Sequence, residues 1–125
     1  MDLNNISSKI IEAAIKVHRE IGPGLLESVY QSCIFIELQN MGLETKAEVP
    51  VEVHYCGQKI NDQGFRVDLL VEEQIVIELK SVESIKAIHK KQLHTYLKLA
   101  GKKLGLLINF NEILLKDGIT RIINN

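Results

Sequence analysis

Apolar residues recur at helical spacing in the first part of the chain. Ile6, Ile10, Ala13/Ala14, Val17 and Ile21 predict an amphipathic helix over residues 5–20. Gly22-Pro23-Gly24 breaks that pattern. A second helix is expected from Leu25 to about Met41, with Leu26, Val29/Tyr30, Cys33 and Leu38 inward and Gly42 at its end. The period then changes to two. Val49, Val51, Val53 and Tyr55 alternate with Glu48, Pro50, Glu52 and His54, a half-buried strand in which Pro50 indicates an edge position or a bulge. Phe65, Val67, Leu69 and Val71 alternate with Arg66, Asp68 and Leu70, and Ile75, Ile77 and Leu79 alternate with Val76, Glu78 and Lys80. These two segments read as neighbouring antiparallel strands joined at Glu72-Glu73-Gln74. Helical spacing returns over residues 84–100, and Leu104 to Phe110 is an almost continuously apolar run suited to a central strand. Asp117-Gly118 marks a hairpin turn between arms at 113–116 and 119–123. The expected order is ααβββαβ plus a C-terminal β-hairpin: an α/β fold, one domain over residues 1–125, with helices packed on a mixed sheet.

Composition narrows the function classes. With 46% hydrophobic and 25% charged residues, the chain has the balance of an ordinary globular domain. Three Phe, three Tyr and no Trp leave little for a broad base-stacking platform. Cys33 and Cys56 lack CxxC spacing and read as reduced core or near-core thiols. No apolar run approaches the ~20 residues that span a bilayer, and Met1-Asp2-Leu3-Asn4-Asn5 has neither a basic n-region nor an apolar h-region. The expectation is a cytoplasmic protein with no membrane partner. A net charge of −1 conceals an asymmetry: residues 1–77 hold six Lys/Arg against twelve Asp/Glu, and residues 78–125 hold nine against four. That distribution excludes a strongly basic, nonspecific DNA coat, and it suits either two solvated faces or an acidic cation site beside a basic surface.

The candidate chemistry lies at Asp68 and Glu78-Leu79-Lys80. Glu-x-Lys alone carries no information, since twelve Glu and twelve Lys in 125 residues make it expected about once by chance, and Glu44-Thr45-Lys46 is a second copy. Context separates the two, because Glu78 and Lys80 end a strand led by Ile75, Val76 and Ile77, where charge is costly unless paired or bound to metal. A three-residue loop at Glu72-Glu73-Gln74 pairs Val71 with Ile75, which sets Asp68 opposite Glu78 and Arg66 opposite Lys80. A two-residue loop would put Glu78 on the other face. Two facing carboxylates favour a cation between them, and hard oxygen ligands suit Mg²⁺ or Mn²⁺. A structural salt bridge among Asp68, Glu78, Arg66 and Lys80 fits the same residues equally well. Glu27 stands in the first turn of the second helix, where the dipole favours its carboxylate. Gln92 and Tyr96, in line with Ile85 and Ile88/His89, are expected to face inward or toward a cleft. Other chemistries fare poorly: His18, His54, His89 and His94 lack zinc spacing, and Ser81 has no GxSxG elbow.

Gly24-Leu25-Leu26-Glu27-Ser28-Val29-Tyr30 resembles the signature of the GxxExxY family, small proteins of the PD-(D/E)XK nuclease superfamily. Asp68, Glu78-Leu79-Lys80 and Gln92-Leu93-His94-Thr95-Tyr96 fall in the order of the D…ExK core and of the QxxxY motif of the RecB-like branch, and Leu104–Phe110 also looks typical. Val67 stands where the superfamily pattern has Pro. The resemblance covers roughly residues 6–123 and implies a restriction-endonuclease-like core and Mg²⁺-dependent phosphodiester hydrolysis. It implies that Asp68, Glu78 and the Leu79 carbonyl hold the metal, with Glu27 contributing directly or through water. Lys80 would position the water or stabilise the transition state, and Gln92 and Tyr96 would steady the site and touch nucleic acid. Lys86, Lys90, Lys91 and Lys98 would contact phosphates, with DNA the favoured substrate and a homodimer or partner protein completing the surface. The competing readings are a noncatalytic nucleic-acid- or partner-binding module of the same fold, and a structural domain whose carboxylates are merely salt-bridged.

Overall fold

The structure, a computed structural model, describes residues 1–60 and 65–125. Helix α1 (Leu3–Ile21) begins where the Asp2 side chain accepts the Asn5 N–H at 2.8 Å, and it stops at Gly22, whose φ of 75° only glycine adopts freely. Its buried stripe of Ile6, Ile10, Ala13, Ala14 and Val17 follows the predicted spacing. Helix α2 (Glu27–Asn40) starts later than expected, and its buried residues are Tyr30, Ile34 and Leu38. Leu26 and Val29, expected inward, are exposed. Leu26 is the extended N-cap residue rather than a helical one, which takes it off the inward stripe.

Among the described residues, seven strands form two sheets: β1 (Thr45–Val51), β2 (His54–Tyr55), β3 (Gln58–Lys59), β4 (Phe65–Val71), β5 (Ile75–Lys80), β6 (Leu104–Asn109) and β7 (Ile119–Ile123). The main sheet has the order β1-β4-β5-β6-β7. β4 lies antiparallel to β1 and β5, whereas β5 and β6 are parallel, joined through helix α3 (Ala87–Ala100). This is the mixed sheet flanked by helices that the pattern predicted, and β1, with Pro50, is an edge strand as expected. Val71 pairs with Ile75 across a three-residue loop, so the register predicted for this pair holds at the turn.

Two apolar layers sandwich the sheet. Leu69, Val71, Ile75, Ile77, Leu79, Leu106 and Ile108 pack under α1 and α2, while Val67, Leu70, Val76 and Leu107 meet Leu93 and Leu97 of α3. Truncating any of these fully buried leucines or isoleucines to alanine costs about 2–5 kcal/mol. α3 presses so closely on β6 that a Cβ at Gly105 would lie 2.9 Å from Leu93.

Three expectations are corrected. The strand expected through Tyr55 ends at Val51, and residues 54–59 form a separate ribbon turning at Cys56-Gly57, both with positive φ. Cys56 is therefore exposed at a turn instead of near the core, while Cys33 is half-buried. Residues 113–116 are not a strand arm. β7 pairs antiparallel with β6 itself, and the connection carries a 3₁₀ turn at Leu115–Gly118. Ile113 is instead 87% exposed, and the outer edge of β7 has no partner strand among the described residues. Among the described residues, no helix is long and apolar enough to cross a membrane.

Candidate functional site

The site forms where β4 and β5 part. Their pairing runs from Val71↔Ile75 to Leu69↔Ile77 and stops there. The face alternation of β4 inverts at the same place: Leu69 and Val71 pack toward α1 and α2, yet Val67 packs toward α3. Asp68 sits at the inversion, and its Oδ2 accepts the Leu79 N–H at 2.8 Å, standing in for the ladder partner that β4 no longer supplies. The expected pairing of Arg66 with Lys80 does not form for the same reason. Arg66 instead donates to the Glu48 carbonyl at 3.4 Å. In a strand, a residue's N–H and C=O point to one edge, so the Leu79 carbonyl also faces the Asp68 side.

Glu78, carried by the intact end of β5, meets Asp68 across this gap. The two carboxyl groups lie close enough that the Asp68 charge bears directly on Glu78. Glu78 is only 8% exposed, and its Oε1 has no hydrogen-bond partner among the described residues. Burial, with the adjoining Asp68 charge second, pushes the Glu78 carboxyl up to about 8. Burial also raises Asp68, against the opposing pull of the Leu79 N–H, and the Glu48 charge adds to the rise. The Lys80 ammonium, half-buried at the strand end, draws both carboxyls downward. Tyr96 of α3 stands close enough to both that burial and their charges raise its phenol, and its ring meets Phe65 at a centroid distance of 5.0 Å.

Glu27 reaches the neighbourhood by another route. The buried Tyr30 hydroxyl donates to the Gly22 carbonyl at 2.6 Å and accepts the Leu25 N–H at 3.0 Å, while its ring stacks on Phe110. That clamp holds the Gly22-Pro23-Gly24 loop against the sheet and sets the start of α2 over the end of β5. Glu27 Oε2 then accepts the Ser81 N–H at 3.3 Å, and Ser81 Oγ donates to the Leu25 carbonyl at 2.7 Å. Among the described residues, no three His, Cys, Asp or Glu side chains converge on one point. The structure thus brings Asp68, Glu78, Lys80 and Tyr96 together and leaves Glu27 one step away, on Ser81.

α3 has its N-terminal turn closed by His89, whose Nδ1 accepts the Lys86 N–H at 3.0 Å. Lys86, Lys90, Lys91 and Lys98 are all exposed on it. Gln92 is exposed as well, and Ile88, expected inward, is 54% exposed. The inward face belongs to Leu93 and Leu97, which turns Gln92 outward and leaves Tyr96 at the border.

Asn109 was missed as a site residue. Fully buried and paired with Lys80 in the parallel register, it accepts the Val82 N–H at 3.1 Å and donates to the Val82 carbonyl at 2.9 Å. It thereby ties down the chain leaving Lys80. Its signal was available: a lone amide in the apolar run from Leu104 to Phe110 is costly unless it bonds something specific.

The carboxyl pair fits a hard divalent cation. Two oxygen ligands are forced together, one carries a buried oxygen without a partner, and a backbone carbonyl faces the same gap.

No curated protein matches the chain. The crystal structure of SSO0001 is similar, with a TM-score of 0.54 and 27% identity, over 78% of this chain and 49% of that one. The chain thus spans about half the length of that protein. The family model of the PD-(D/E)XK nuclease superfamily, whose nucleases act on nucleic acid and typically use divalent metals, matches residues 4–122. That span takes in all but the end residues of the three helices and the main sheet, with the Asp68–Glu78 gap inside it, and the chain belongs to the PD-(D/E)XK nuclease superfamily.

Proposed function

We propose that the protein is a metal-dependent nuclease of the GxxExxY type that hydrolyses phosphodiester bonds, with DNA as the favoured substrate and Mg²⁺ or Mn²⁺ as the metal. One observation carries the reading: a nearly fully buried Glu78 has an oxygen without a partner among the described residues and is pressed against a second carboxyl. A protein stabilises such a pair by a proton or by a cation, and the superfamily's chemistry favours the cation. Asp68, Glu78 and the Leu79 carbonyl would hold it, with Glu27 contributing through water from its place on Ser81. A divalent cation held there supplies positive charge against the phosphate oxygens and lowers the pKa of a water.

The remaining roles belong to the chain's own groups. The Lys80 ammonium orients the attacking water or donates to a phosphate oxygen as negative charge builds in the transition state. Asn109 keeps the Lys80–Val82 segment in place. Gln92 and Tyr96 act as the QxxxY pair and touch the nucleic-acid backbone, a role supported by Tyr96 bordering the carboxyl pair and Gln92 lying exposed one turn earlier. Lys86, Lys90, Lys91 and Lys98 supply phosphate contacts and fix register without reading sequence. A second copy of the chain, or a partner protein, extends this basic surface. Sedimentation showing only a 14.1 kDa species, with or without DNA, would remove the homodimer.

A noncatalytic module of the same fold is favoured by one observation, the raised carboxyl of Glu78 beside Asp68, which a proton can neutralise without metal. Calorimetry with Mn²⁺ and cleavage of single- and double-stranded DNA and RNA separate the two. The nuclease reading expects binding that Asp68→Ala abolishes, and cleavage that depends on it. Mn²⁺ binding absent from the wild type, with every substrate intact, leaves the noncatalytic module.

A further inference from the structure

Among the described residues, Glu48 is the one non-glycine residue inside a strand whose φ is positive, at 54°. The other three occur at turns, at Cys56 and at Glu72-Glu73, where positive φ is ordinary. A left-handed residue in extended chain rotates the backbone and inverts the alternation of faces beyond it. β1 and β4 nevertheless stay in one register on both sides of it, from Thr45↔Val71 to Val51↔Phe65, with no residue inserted. The two strands therefore invert together. On one side of the kink Leu69 and Val71 pack toward α1 and α2; on the other, Val51 and Val67 pack toward α3. Glu48 itself lies opposite Asp68 in this register, between Ala47↔Leu69 and Val49↔Val67. β5 has no such residue and keeps its alternation, with Ile75, Ile77 and Leu79 all on one face. Once β4 inverts and β5 does not, their ladder ends, and it ends at Leu69↔Ile77.

We infer that Glu48 is the positioning residue of the site: its left-handed backbone inverts β1 and β4 together, opens the β4–β5 seam, and swings the Asp68 carboxylate into the sheet plane toward the Leu79 N–H and Glu78. The role is one of backbone conformation, exerted through Asp68. Arg66 supports it from the far side by donating to the Glu48 carbonyl at 3.4 Å. The consequence for metal binding rests on the proposed function, whereas the consequence for the Asp68–Leu79 hydrogen bond does not.

The test compares Glu48→Gly, Glu48→Asn, Glu48→Ala and Glu48→Val by hydrogen exchange of the Leu79 amide in metal-free protein and by calorimetric Mn²⁺ affinity. Gly and Asn enter the left-handed region readily, Ala reluctantly and a β-branched residue hardly at all. Gly and Asn should keep Leu79 protected and Mn²⁺ affinity within about twofold of wild type, because strain is absent there. Val should speed Leu79 exchange and weaken Mn²⁺ binding by about tenfold or more, the scale of one displaced backbone conformation. The Ile77 amide, inside the intact ladder, should stay protected throughout. If Glu48→Val does not fold, the order Gly and Asn above Ala decides. Unchanged Leu79 protection in Glu48→Val overturns the inference. So does equal loss in Gly, Asn and Ala, which would assign the role to the carboxylate. The expected order in Leu79 exchange, with no Mn²⁺ binding even by wild type, upholds the positioning role and removes the metal reading.

Discussion

The two ends of the β4–β5 pair carry acidic groups in opposite circumstances. At the turn, Glu73 meets Lys46 at 2.5 Å in solvent. That contact lowers the Glu73 carboxyl and raises the Lys46 ammonium. At the other end, Asp68 and Glu78 meet each other under α3, and burial raises both. What differs is that the turn end is tightly paired and wet, whereas the far end is splayed and roofed. An acid at the turn finds a cation in the chain itself. The acids in the gap are drawn down by Lys80, and among the described residues Glu78 keeps an oxygen without a partner.

The largest expected effect falls on Lys80. Lys80→Ala should lower the cleavage rate by about 10²–10³-fold while leaving Mn²⁺ affinity near wild type, since a lost charge-stabilising donor acts on the transition state. If the gap were a mere salt bridge, the same change would lower the melting temperature, because two buried carboxyls would lose the Lys80 cation. Single-turnover cleavage and thermal melts on one preparation tell these apart.

Next comes the pH dependence of metal-free stability. Glu78 titrates near 4.5 in the unfolded chain and at about 8 in the fold, so the folded state holds the extra proton between those values. Stability is then fully present below about 4.5 and falls as pH rises toward 8. At roughly 1.4 kcal/mol for each pH unit separating the two states, the loss amounts to a few kcal/mol. Glu78→Gln should flatten the profile over that window, and saturating Mg²⁺ should restore stability to the wild type only. A metal-free profile that is flat from pH 5 to 8 would contradict the buried, protonated pair.

Tyr30→Phe removes a hydroxyl that satisfies both Gly22 and Leu25. Chemical denaturation should show a loss of about 1–3 kcal/mol, the cost of unsatisfied buried groups. If Glu27 acts at the site, cleavage should fall as well, because the loop that carries it loosens.

The smallest effect belongs to the wet end. Lys46→Ala should change the melting temperature little, and whatever change appears should vanish in high salt, as expected of an exposed pair. A large effect there would erase the contrast between the two ends.

Much of this site was readable along the chain. Strict alternation in residues 65–71 and 75–80, with three turn residues between, was enough to set Val71 against Ile75 and to bring Asp68 toward Glu78. The Glu27 position followed from the break at Gly22-Pro23-Gly24, but its contact with Ser81 did not, since the two are 54 residues apart and meet only because Tyr30 packs on Phe110. Asp68 was expected to project from a face. It lies in the seam instead, because alternation assumes that every residue is extended and Glu48 is not. Glutamate carries no sign of a left-handed backbone, so nothing local announced the inversion. The ribbon at residues 54–59 was overlooked because Val53 and Tyr55 continue the apolar alternation past the true end of β1. The arm expected at 113–116 did not form, as β7 pairs with β6 itself and residues 115–118 take a 3₁₀ turn instead.

By itself, the amino-acid sequence determined the elements, the neighbouring of β4 and β5, and the identity of the groups at their ends, because periodicity and loop length are local and act through backbone geometry. Only the tertiary structure decided that the ladder stops at Leu69↔Ile77, that α3 closes over the gap, and that Asn109 anchors the chain beyond Lys80. Those features set how deeply Asp68 and Glu78 are buried. Burial, summed over residues far apart in the chain, turns two ordinary acids into a pair that holds a proton near neutral pH.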